Sequence, residues 1–193
     1  MAKLHFFYST MNAGKSTALL QSNHNYLERD LKTMLFIPEE IGTKSNGKII
    51  SRIGLKADAI VVNKNYCFYD EIEKTKYKEI SCIFIDEAQF LSKKQVHNLG
   101  RIADELNIPV MCYGIRTDFQ GELFEGSKEL LALADNLKEL KTICSLCDKK
   151  ATMVVRINQD GEVILKGEKI LIGGNEKYKT LCRKHFRELT KLI

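Results

Sequence analysis

The feature that most restricts the fold of this chain is a polar loop that joins a short apolar run to a helical pattern. Residues 4–8 are mostly apolar, residues 9–14 are small or polar, and residues 15–30 have the composition of a helix. A loop that connects a strand to a helix points backbone N–H groups into one concavity, where an anion is stabilised. The order of strand, loop and helix therefore predicts a site for phosphate groups.

The loop follows the pattern G-x-x-x-x-G-K-[ST], except that a serine stands where the first glycine is usual. In this pattern the second glycine lets the backbone approach the phosphates, the lysine reaches the β- and γ-phosphates, and the hydroxyl binds Mg²⁺. The alternative is an ordinary turn that contains Gly-Lys-Ser by chance. The residues predicted to bind ATP and Mg²⁺ here are Ser9, Thr10, Met11, Asn12, Ala13, Gly14, Lys15 and Ser16.

An acidic pair, Asp86 and Glu87, directly follows the apolar run at residues 81–85. P-loop proteins hold the magnesium ion with a carboxylate at the end of a neighbouring strand, and Asp86 is predicted to be this carboxylate. The carboxylate beside it can accept a proton from an attacking hydroxyl group, which makes Glu87 the predicted general base. If that hydroxyl belongs to water, the protein is an ATPase; if it belongs to a substrate alcohol, the protein is a small-molecule kinase.

Strand-like and helix-like segments alternate through residues 1–140. The further apolar runs that we predict to be strands lie at residues 33–37, 58–62, 81–85 and 110–113. This alternation indicates an α/β fold of the P-loop (RecA-like) type, with a mostly parallel sheet covered by helices. Ser92 and Ser127 are each predicted to cap the start of a helix. Ligands of such sheets bind beyond the carboxyl ends of the strands, so the loop and the acidic pair should share one crevice.

The pattern changes after residue 140. Extended segments at residues 151–157 and 162–165 are joined by Asn-Gln-Asp-Gly, and Asp-Gly between such segments is a hairpin signal. We therefore predict two domains, a nucleotide-binding domain at residues 1–140 and a small β-rich domain with a final helix at residues 141–193.

The second domain contains two paired spacings that are typical of a structural zinc site. Cys-x-x-Cys near its start precedes Cys-x-x-His near its end, and the predicted ligands are Cys144, Cys147, Cys182 and His185. Four protein ligands leave no open position, so the zinc ion is expected to be structural. The remaining cysteines are interpreted as inert core thiols: Cys67, Cys82 and Cys112.

Several classes of protein fit the sequence poorly. A GTPase should carry Asn-Lys-x-Asp, whereas Asn63 and Lys64 are followed by Asn65 and Tyr66. The net charge is only +5 and no long run of like charges occurs, so a nucleic-acid face is not indicated. The absence of a visible signal peptide and of an apolar run of about 18 residues favours a cytoplasmic protein. A P-loop ATPase and a zinc-ribbon nucleic-acid-binding module remain the alternative functions.

Five ordered motifs together resemble the type II thymidine kinase family. They are residues 8–17, 85–90, 113–119 and 172–178 and the Cys/Cys/Cys/His set. The resemblance implies a transferase of nucleotide salvage for DNA synthesis, which moves a phosphoryl group from ATP to the 5′-hydroxyl of thymidine and yields dTMP and ADP. It also adds Gln89 to the ATP and Mg²⁺ site, and it leaves open whether Arg52 or Arg116 assists the transfer.

The family pattern further implies that a lasso-like loop of the second domain closes over thymidine. The residues that it places around the nucleoside are Met11, Phe90, Phe119, Phe124, Lys169, Ile170, Leu171, Ile172, Gly173 and Tyr178. Aromatic rings suit a flat base, and their alternative role is in the ordinary core. A homotetramer and feedback inhibition by dTTP follow from the resemblance as well, and neither nucleic acid nor a membrane is expected as a partner.

Overall fold

The computed structural model of the protein describes residues 1–75, 77–168 and 177–192. Through residue 140 its helices and strands are β1 (Leu4–Ser9), α1 (Lys15–Leu27), β2 (Lys32–Pro38), α2 (Glu39–Gly42), β3 (Lys48–Ile50), β4 (Lys56–Asp58), β5 (Ile60–Val62), α3 (Phe68–Glu73), β6 (Ile80–Ile85), α4 (Lys93–Glu105), β7 (Val110–Ile115), α5 (Glu125–Leu133) and β8 (Asn136–Glu139). Short 3-10 turns lie at Tyr77–Glu79 and Ala88–Phe90. Among the described helices, none combines the length and the apolar character that a bilayer crossing requires.

Six of these strands form one parallel sheet, in the order β5-β2-β6-β7-β1-β8. Side chains alternate between the two faces of a strand, so the strands contribute residues to two hydrophobic cores, one on each face of the sheet. Phe6 and Ile83 pack on the face covered by α3, α4 and α5, whereas Phe84 and Tyr113 pack with Leu19 of α1 on the other face. The predicted α/β class, with a parallel sheet covered by helices, is confirmed.

The predicted strand at residues 58–62 is divided in two. Ala59 separates β4 from β5, and its backbone N–H bonds the carbonyl of Gly47 at 2.8 Å. The apolar half joins β2 as a parallel edge strand, while the more polar segment before it pairs antiparallel with β3. The composition therefore changes from polar to apolar at the point where the chain passes from the β3–β4 hairpin into the parallel sheet.

Strand β8 is not predicted by the sequence analysis. It is mostly polar and exposed, because it lies at the edge of the sheet with β1 as its neighbour. An edge strand of this kind lacks the apolar run by which the other strands are recognised.

The two predicted helix caps have different outcomes. Ser92 caps α4 as predicted, since its side chain accepts a hydrogen bond from the Gln95 backbone and the Gln95 side chain accepts one in return. The prediction that Ser127 caps α5 is wrong, because Phe124 occupies the cap position. The buried Ser127 hydroxyl instead donates to the carbonyl of Ile115 at 2.6 Å, which fastens α5 to the end of β7.

The C-terminal region forms small antiparallel sheets and a final helix. Its described elements are β9 (Thr142–Ile143), β10 (Lys150–Ala151), β11 (Met153–Ile157), β12 (Val163–Ile164), β13 (Tyr178–Leu181) and α6 (Arg183–Thr190). Strand β11 pairs antiparallel with both β12 and β13, which confirms the predicted hairpin. Phe186 of α6 is fully buried against Val155 and Leu181, so this region has a core of its own.

Candidate active site

The loop between β1 and α1 is wrapped around its own lysine. Asn12 and Gly14 have positive φ angles of 61° and 72°, and α1 begins after Gly14 without a side-chain cap. The ammonium of Lys15 donates to the carbonyl of Thr10 at 2.9 Å and to the hydroxyl of Ser9 at 3.2 Å. The buried ammonium and the uncapped N–H groups of the first helical turn make this concavity positive, as phosphate binding requires.

Beside this loop, Ser16 and Asp86 bring a hydroxyl and a carboxylate together. The Ser16 hydroxyl donates to Oδ2 of Asp86 at 2.7 Å, and Asp86 is only 3% exposed at the end of β6. Oxygen donors of this kind are the ligands that Mg²⁺ prefers in proteins. Burial and, secondarily, the charge of Glu87 raise the pKa of Asp86 to about 7, while burial lowers the pKa of Lys15. A triphosphate and its cation would stabilise the charged forms of both groups.

Glu87 has an unusual backbone conformation immediately after β6. Its φ of 52° and ψ of 37° lie in the left-handed region, which costs a non-glycine residue about 1–2 kcal/mol. Its carboxylate accepts a hydrogen bond from Nε2 of Gln89 at 2.5 Å, and Oε1 of Gln89 accepts one from the Ile115 backbone at 3.1 Å. A buried glutamine therefore fixes the Glu87 side chain relative to the end of β7.

A cavity of about 400 Å³ opens between the loop and the turn of the β3–β4 hairpin. Its lining residues are Met11, Asn12, Ala13, Gly14, Lys15, Ser16, Thr17, Ile50, Ser51, Arg52, Ile53 and Glu87. Burial does most to lower the pKa of Lys15, and the nearby charge of Arg52 lowers it further. Of the two arginines left open by the sequence, Arg52 thus lines this cavity, whereas Arg116 lines a different groove.

Three cavity residues of the hairpin carry no recognisable signal in the sequence: Ile50 at the end of β3, and Ser51 and Ile53 in the turn. Strands β3 and β4 have three residues each, which is too short for a recognisable alternation. The one available signal is Gly54, whose φ of 91° shows that the turn needs a glycine there.

The loop is also fastened to the C-terminal region. The hydroxyl of Thr10 donates to the carbonyl of Met153 at 3.0 Å, and both residues are buried. Next to this contact, the backbone N–H of Arg116 donates to the carbonyl of Ser9 at 3.0 Å, and its guanidinium donates to the carbonyl of Thr152 at 3.3 Å. Strand β11 and the end of β7 therefore hold the first residues of the loop between them.

Two of the predicted nucleoside-binding residues, Phe119 and Tyr178, stand around Arg156. The guanidinium carbon lies 4.0 Å from the Phe119 ring centroid and 5.6 Å from that of Tyr178. A guanidinium N–H of Arg156 also donates a hydrogen bond to the Tyr178 hydroxyl at 3.2 Å. Because Phe119 is only 2% exposed, the half-buried Tyr178 is the ring of this cluster that a ligand can more easily reach.

The other predicted nucleoside-binding residues lie elsewhere. Phe90 and Phe124 form an edge-to-face pair with ring centroids 5.8 Å apart, and Met11 lines the cavity above the loop. The predicted backbone contacts at residues 169–173 lie outside the described residues. Within the described part of the chain, no ring contact joins the Phe90 pair to the cluster around Arg156.

The C-terminal region brings three thiols and one imidazole together. The ligand atoms of Cys144, Cys147, Cys182 and His185 all lie within 4.8 Å of one another. Nδ1 of His185 is 3.3 Å from Sγ of Cys144 and 3.5 Å from Sγ of Cys182. Bonds of about 2.0–2.3 Å from zinc to nitrogen and sulfur give a tetrahedron whose edges measure about 3.5–3.8 Å. The donor set and its spacing therefore fit a zinc ion.

Two of the remaining cysteines, Cys82 and Cys112, are fully buried in the sheet, as predicted. Burial raises the pKa of Cys82 to about 12 and raises the pKa of Cys112 as well. Cys67 is half-buried and donates to Oδ1 of Asn98 at 3.0 Å. The first two thiols stay protonated at neutral pH, which makes them unreactive.

Comparison with known proteins gives consistent matches along the chain. The family model described as thymidine kinase matches residues 2–186. The chain is 55% identical over 192 residues to a thymidine kinase of Haemophilus influenzae, with 97% of each protein covered. It is 51% identical over 189 residues to a thymidine kinase of Escherichia coli O157:H7, covering 97% of this chain and 92% of that protein. A Pif1 helicase of Candida albicans overlaps it with a TM-score of 0.44 at 14% identity, covering 74% of this chain and 36% of that one, which supports no inference.

Proposed function

This chain belongs to the thymidine kinase family, and from that membership we propose how its residues transfer a phosphoryl group to thymidine. It is a nucleoside kinase that uses ATP. The proposed reaction moves the γ-phosphoryl group of ATP to the 5′-hydroxyl of thymidine and yields dTMP and ADP. The observation that supports this reaction best is that Glu87 lines the same cavity as the phosphate loop.

In this proposal the loop residues 9–16 bind the triphosphate. The N–H groups at the start of α1 and the ammonium of Lys15 replace part of the hydration shell of the phosphates. Lys15 exchanges its contacts with Ser9 and Thr10 for the phosphate oxygens, since those contacts hold it at the floor of the loop. Arg52 approaches the same phosphates from the opposite wall of the cavity and stabilises the charge of the transferring group.

The cation site is proposed to consist of the Ser16 hydroxyl and the Asp86 carboxylate, whose oxygens already lie 2.7 Å apart. Mg²⁺, when bound there, neutralises charge on the β- and γ-phosphates. Asp86 is suited to this role because it is buried and is positioned by the backbone N–H of Glu87 at 3.0 Å. Gln89 belongs to this part of the site through its hydrogen bond to Glu87 rather than as a ligand.

Glu87 is proposed to be the general base. Its carboxylate takes the proton of the 5′-hydroxyl while that oxygen bonds the γ-phosphorus and the bond from phosphorus to the β–γ bridging oxygen breaks. The left-handed backbone and the hydrogen bond from Gln89 hold the carboxylate in one position, so little reorganisation is needed when the substrate arrives.

The nucleoside is proposed to bind between this carboxylate and the C-terminal region. The residues assigned to it are Met11, Phe90, Phe119, Phe124 and Tyr178 together with backbone groups of residues 169–173. The zinc ion is proposed to be structural, because its four ligands join the start of the C-terminal region to α6. A homotetramer, inhibition by dTTP and a cytoplasmic location are further proposals that rest on the family alone.

The decisive variant is Glu87→Gln, which keeps the size of the side chain and removes its basicity. We expect ATP and thymidine to bind almost as before and turnover to fall at least ~10²-fold. The exposed Glu73→Gln variant on α3 is the matched control and should keep full turnover. Near-normal turnover by Glu87→Gln would exclude its role as the general base.

A second experiment separates the kinase from the P-loop ATPase. The protein is incubated with ATP labelled at the γ-phosphate and with a panel of nucleosides, and the label is followed into nucleoside monophosphate and into inorganic phosphate. A kinase yields labelled dTMP only when thymidine is present. Thymidine-independent release of phosphate, stimulated by DNA, would instead identify an ATPase.

A further inference from the structure

A second concave site lies between the carboxyl edge of the parallel sheet and the C-terminal region. It is a groove of about 570 Å³, a volume in the range of small-molecule sites. Its lining residues are Arg116, Glu139, Lys149, Lys150, Thr152, Met153, Cys182, Arg183, Lys184 and Arg187. The cavity above the phosphate loop shares none of these residues, so the two sites are distinct.

The groove is strongly positive. Six of its ten lining residues are basic, and Glu139, the acidic residue among them, forms an ion pair with Lys150. Lys184 pairs with Glu188 at 3.7 Å. The other four basic side chains form no ion pair with any described residue: Arg116, Lys149, Arg183 and Arg187. Four uncompensated cations around one concavity repel one another and favour a multivalent anion.

One of the charges that helix α6 contributes to the groove, that of Arg183, stands at a position that weakens the helix. Arg183 is its first residue, where the positive end of the helix dipole disfavours a cation. Arg187 follows four residues later, in the last turn, where the dipole favours a cation. Its repulsion of Arg183 still opposes the helix, since like charges four residues apart destabilise a helix by about 0.2–0.5 kcal/mol. A residue that breaks a local rule without a structural benefit, as Arg183 does, is expected to serve a ligand.

We propose that this groove binds a small oligophosphate anion, as a second phosphate site apart from the loop at residues 9–16. Guanidinium groups match phosphate oxygens in pairs, and three of the four uncompensated cations are arginines. The phosphate chain lies along the first two turns of α6, between Arg183 and Arg187 on one side and Arg116 on the other. The anion can be a nucleoside triphosphate or a free polyphosphate, since both present the same chain of phosphates.

Two lining residues, Arg116 and Met153, connect the groove to the proposed reaction site. The backbone N–H of Arg116 donates to the carbonyl of Ser9, and the carbonyl of Met153 accepts a hydrogen bond from the hydroxyl of Thr10, so both residues contact the start of the phosphate loop. An anion that draws Arg116 and α6 together would tighten the contacts of Arg116 and β11 with the start of the phosphate loop. The site goes beyond the proposed reaction, which needs only the cavity above the loop.

The test uses the full-length, zinc-loaded protein with Lys15→Ala, so that binding at the phosphate loop is weakened. Tripolyphosphate is titrated calorimetrically without Mg²⁺, and the zinc content is checked afterwards. The groove predicts that this protein still binds tripolyphosphate and that adding Arg183→Ala with Arg187→Ala weakens binding about tenfold or more. The matched control adds Arg29→Ala with Lys94→Ala, which removes two exposed charges elsewhere and should leave the affinity unchanged.

Thermal unfolding separates a binding site from a structural role. Without anion, Arg183→Ala with Arg187→Ala should leave the melting temperature unchanged or slightly higher, because a repulsive pair is removed. With tripolyphosphate, the starting protein should melt at a higher temperature and the double variant should not. A loss of stability without anion, or an equal rise in both proteins, would overturn the proposal.

Two further arms identify the anion. If ATP binds more strongly than tripolyphosphate, the groove is assigned to nucleotides; if tripolyphosphate binds more strongly, it is assigned to polyphosphate. Adenosine, which has no phosphate, should not bind. Tighter binding of a single-stranded oligonucleotide than of either would overturn the small-anion assignment. In a chain with native Lys15, the double variant should keep thymidine phosphorylation within about twofold, so this test stays independent of the Glu87→Gln test.

Discussion

At the scale of single residues, Thr10 makes two contacts that place the phosphate loop. Its hydroxyl donates to the carbonyl of Met153 at 3.0 Å, and its own carbonyl accepts the ammonium of Lys15 at 2.9 Å. Because Thr10 is only 5% exposed, water cannot replace either partner without rearrangement. Through its backbone carbonyl and its side chain, Thr10 therefore links Lys15, the lysine proposed to bind phosphate, to strand β11 of the C-terminal region.

The variant Thr10→Val keeps the shape of this side chain and removes its hydroxyl, which leaves the Met153 carbonyl buried without that donor. We expect the free energy of unfolding to fall by about 1–3 kcal/mol and the KM for ATP to rise, since the loop loses its anchor. Urea unfolding and initial-rate kinetics measure the two effects. Thr10→Ser keeps a hydroxyl and should behave almost as the native protein; if it is impaired equally, the hydrogen bond is not the cause.

At the scale of elements, the site is assembled where three parallel strands end. The last residues of β1 and β7 and the residue that follows β6 supply Ser9, Ile115 and Asp86 at one edge of the sheet. Helix α5 packs against this edge of the sheet, because Gly126 in its first turn lies close to the backbone between β6 and α4. A Cβ atom at Gly126 would lie 2.3 Å from the carbonyl oxygen of Ala88.

The variant Gly126→Ala should therefore displace the segment that carries the proposed base. We expect it to destabilise the protein by about 1–3 kcal/mol, as overpacking does, and to lower turnover more than it raises either KM. Gly100→Ala in α4 is the matched control, because a Cβ there meets nothing within 4 Å. That control should stabilise the protein by about 0.5–1 kcal/mol with unchanged turnover. Equal effects of both variants in urea unfolding would contradict the close approach at position 126.

At the scale of the whole molecule, the proposed zinc site and the phosphate loop are connected through strand β11. Cys144 and Cys182 close the start of the C-terminal region onto α6, and the carbonyl of Met153 in β11 reaches the loop. The core of this region is small, so the proposed zinc ion, by joining its ends, would contribute a large share of its stability.

Removal of the proposed zinc ion should therefore loosen the C-terminal region and leave the parallel sheet folded. For Cys147→Ala we expect the zinc content to fall from about one ion per chain, and amide protection to be lost in β11 and β13 but kept in β1 and β6. Thymidine phosphorylation should fall as well, because β11 no longer supports the loop. Zinc analysis and hydrogen exchange followed by mass spectrometry measure these changes.

The matched control for the metal site is Cys67→Ala, which removes a half-buried thiol outside the cluster. It should keep its zinc and its pattern of amide protection. If Cys147→Ala retains as much zinc as this control, the four-ligand site is wrong.

Much of the fold can be predicted from the sequence, because the signals are local. Apolar runs identify β2, β6 and β7, and Ser92 identifies the start of α4. The signals fail where a neighbour decides the structure. Strand β8 forms because β1 is available as its hydrogen-bonding partner. The residue type and position of Ser127 suggested a helix cap, but its hydroxyl donates to a carbonyl of β7 instead.

The sequence by itself determined the order of strand, loop and helix, the acidic pair after β6 and the spacing of the four proposed zinc ligands. These features depend on residues that are close in the chain, so composition and spacing are enough to reveal them. The tertiary structure alone decided that Arg52 faces the loop, that Gln89 holds Glu87, and that four uncompensated cations meet in one groove. Those contacts join residues that are distant in the chain or depend on side-chain direction, and only the packed sheet fixes the positions of both partners.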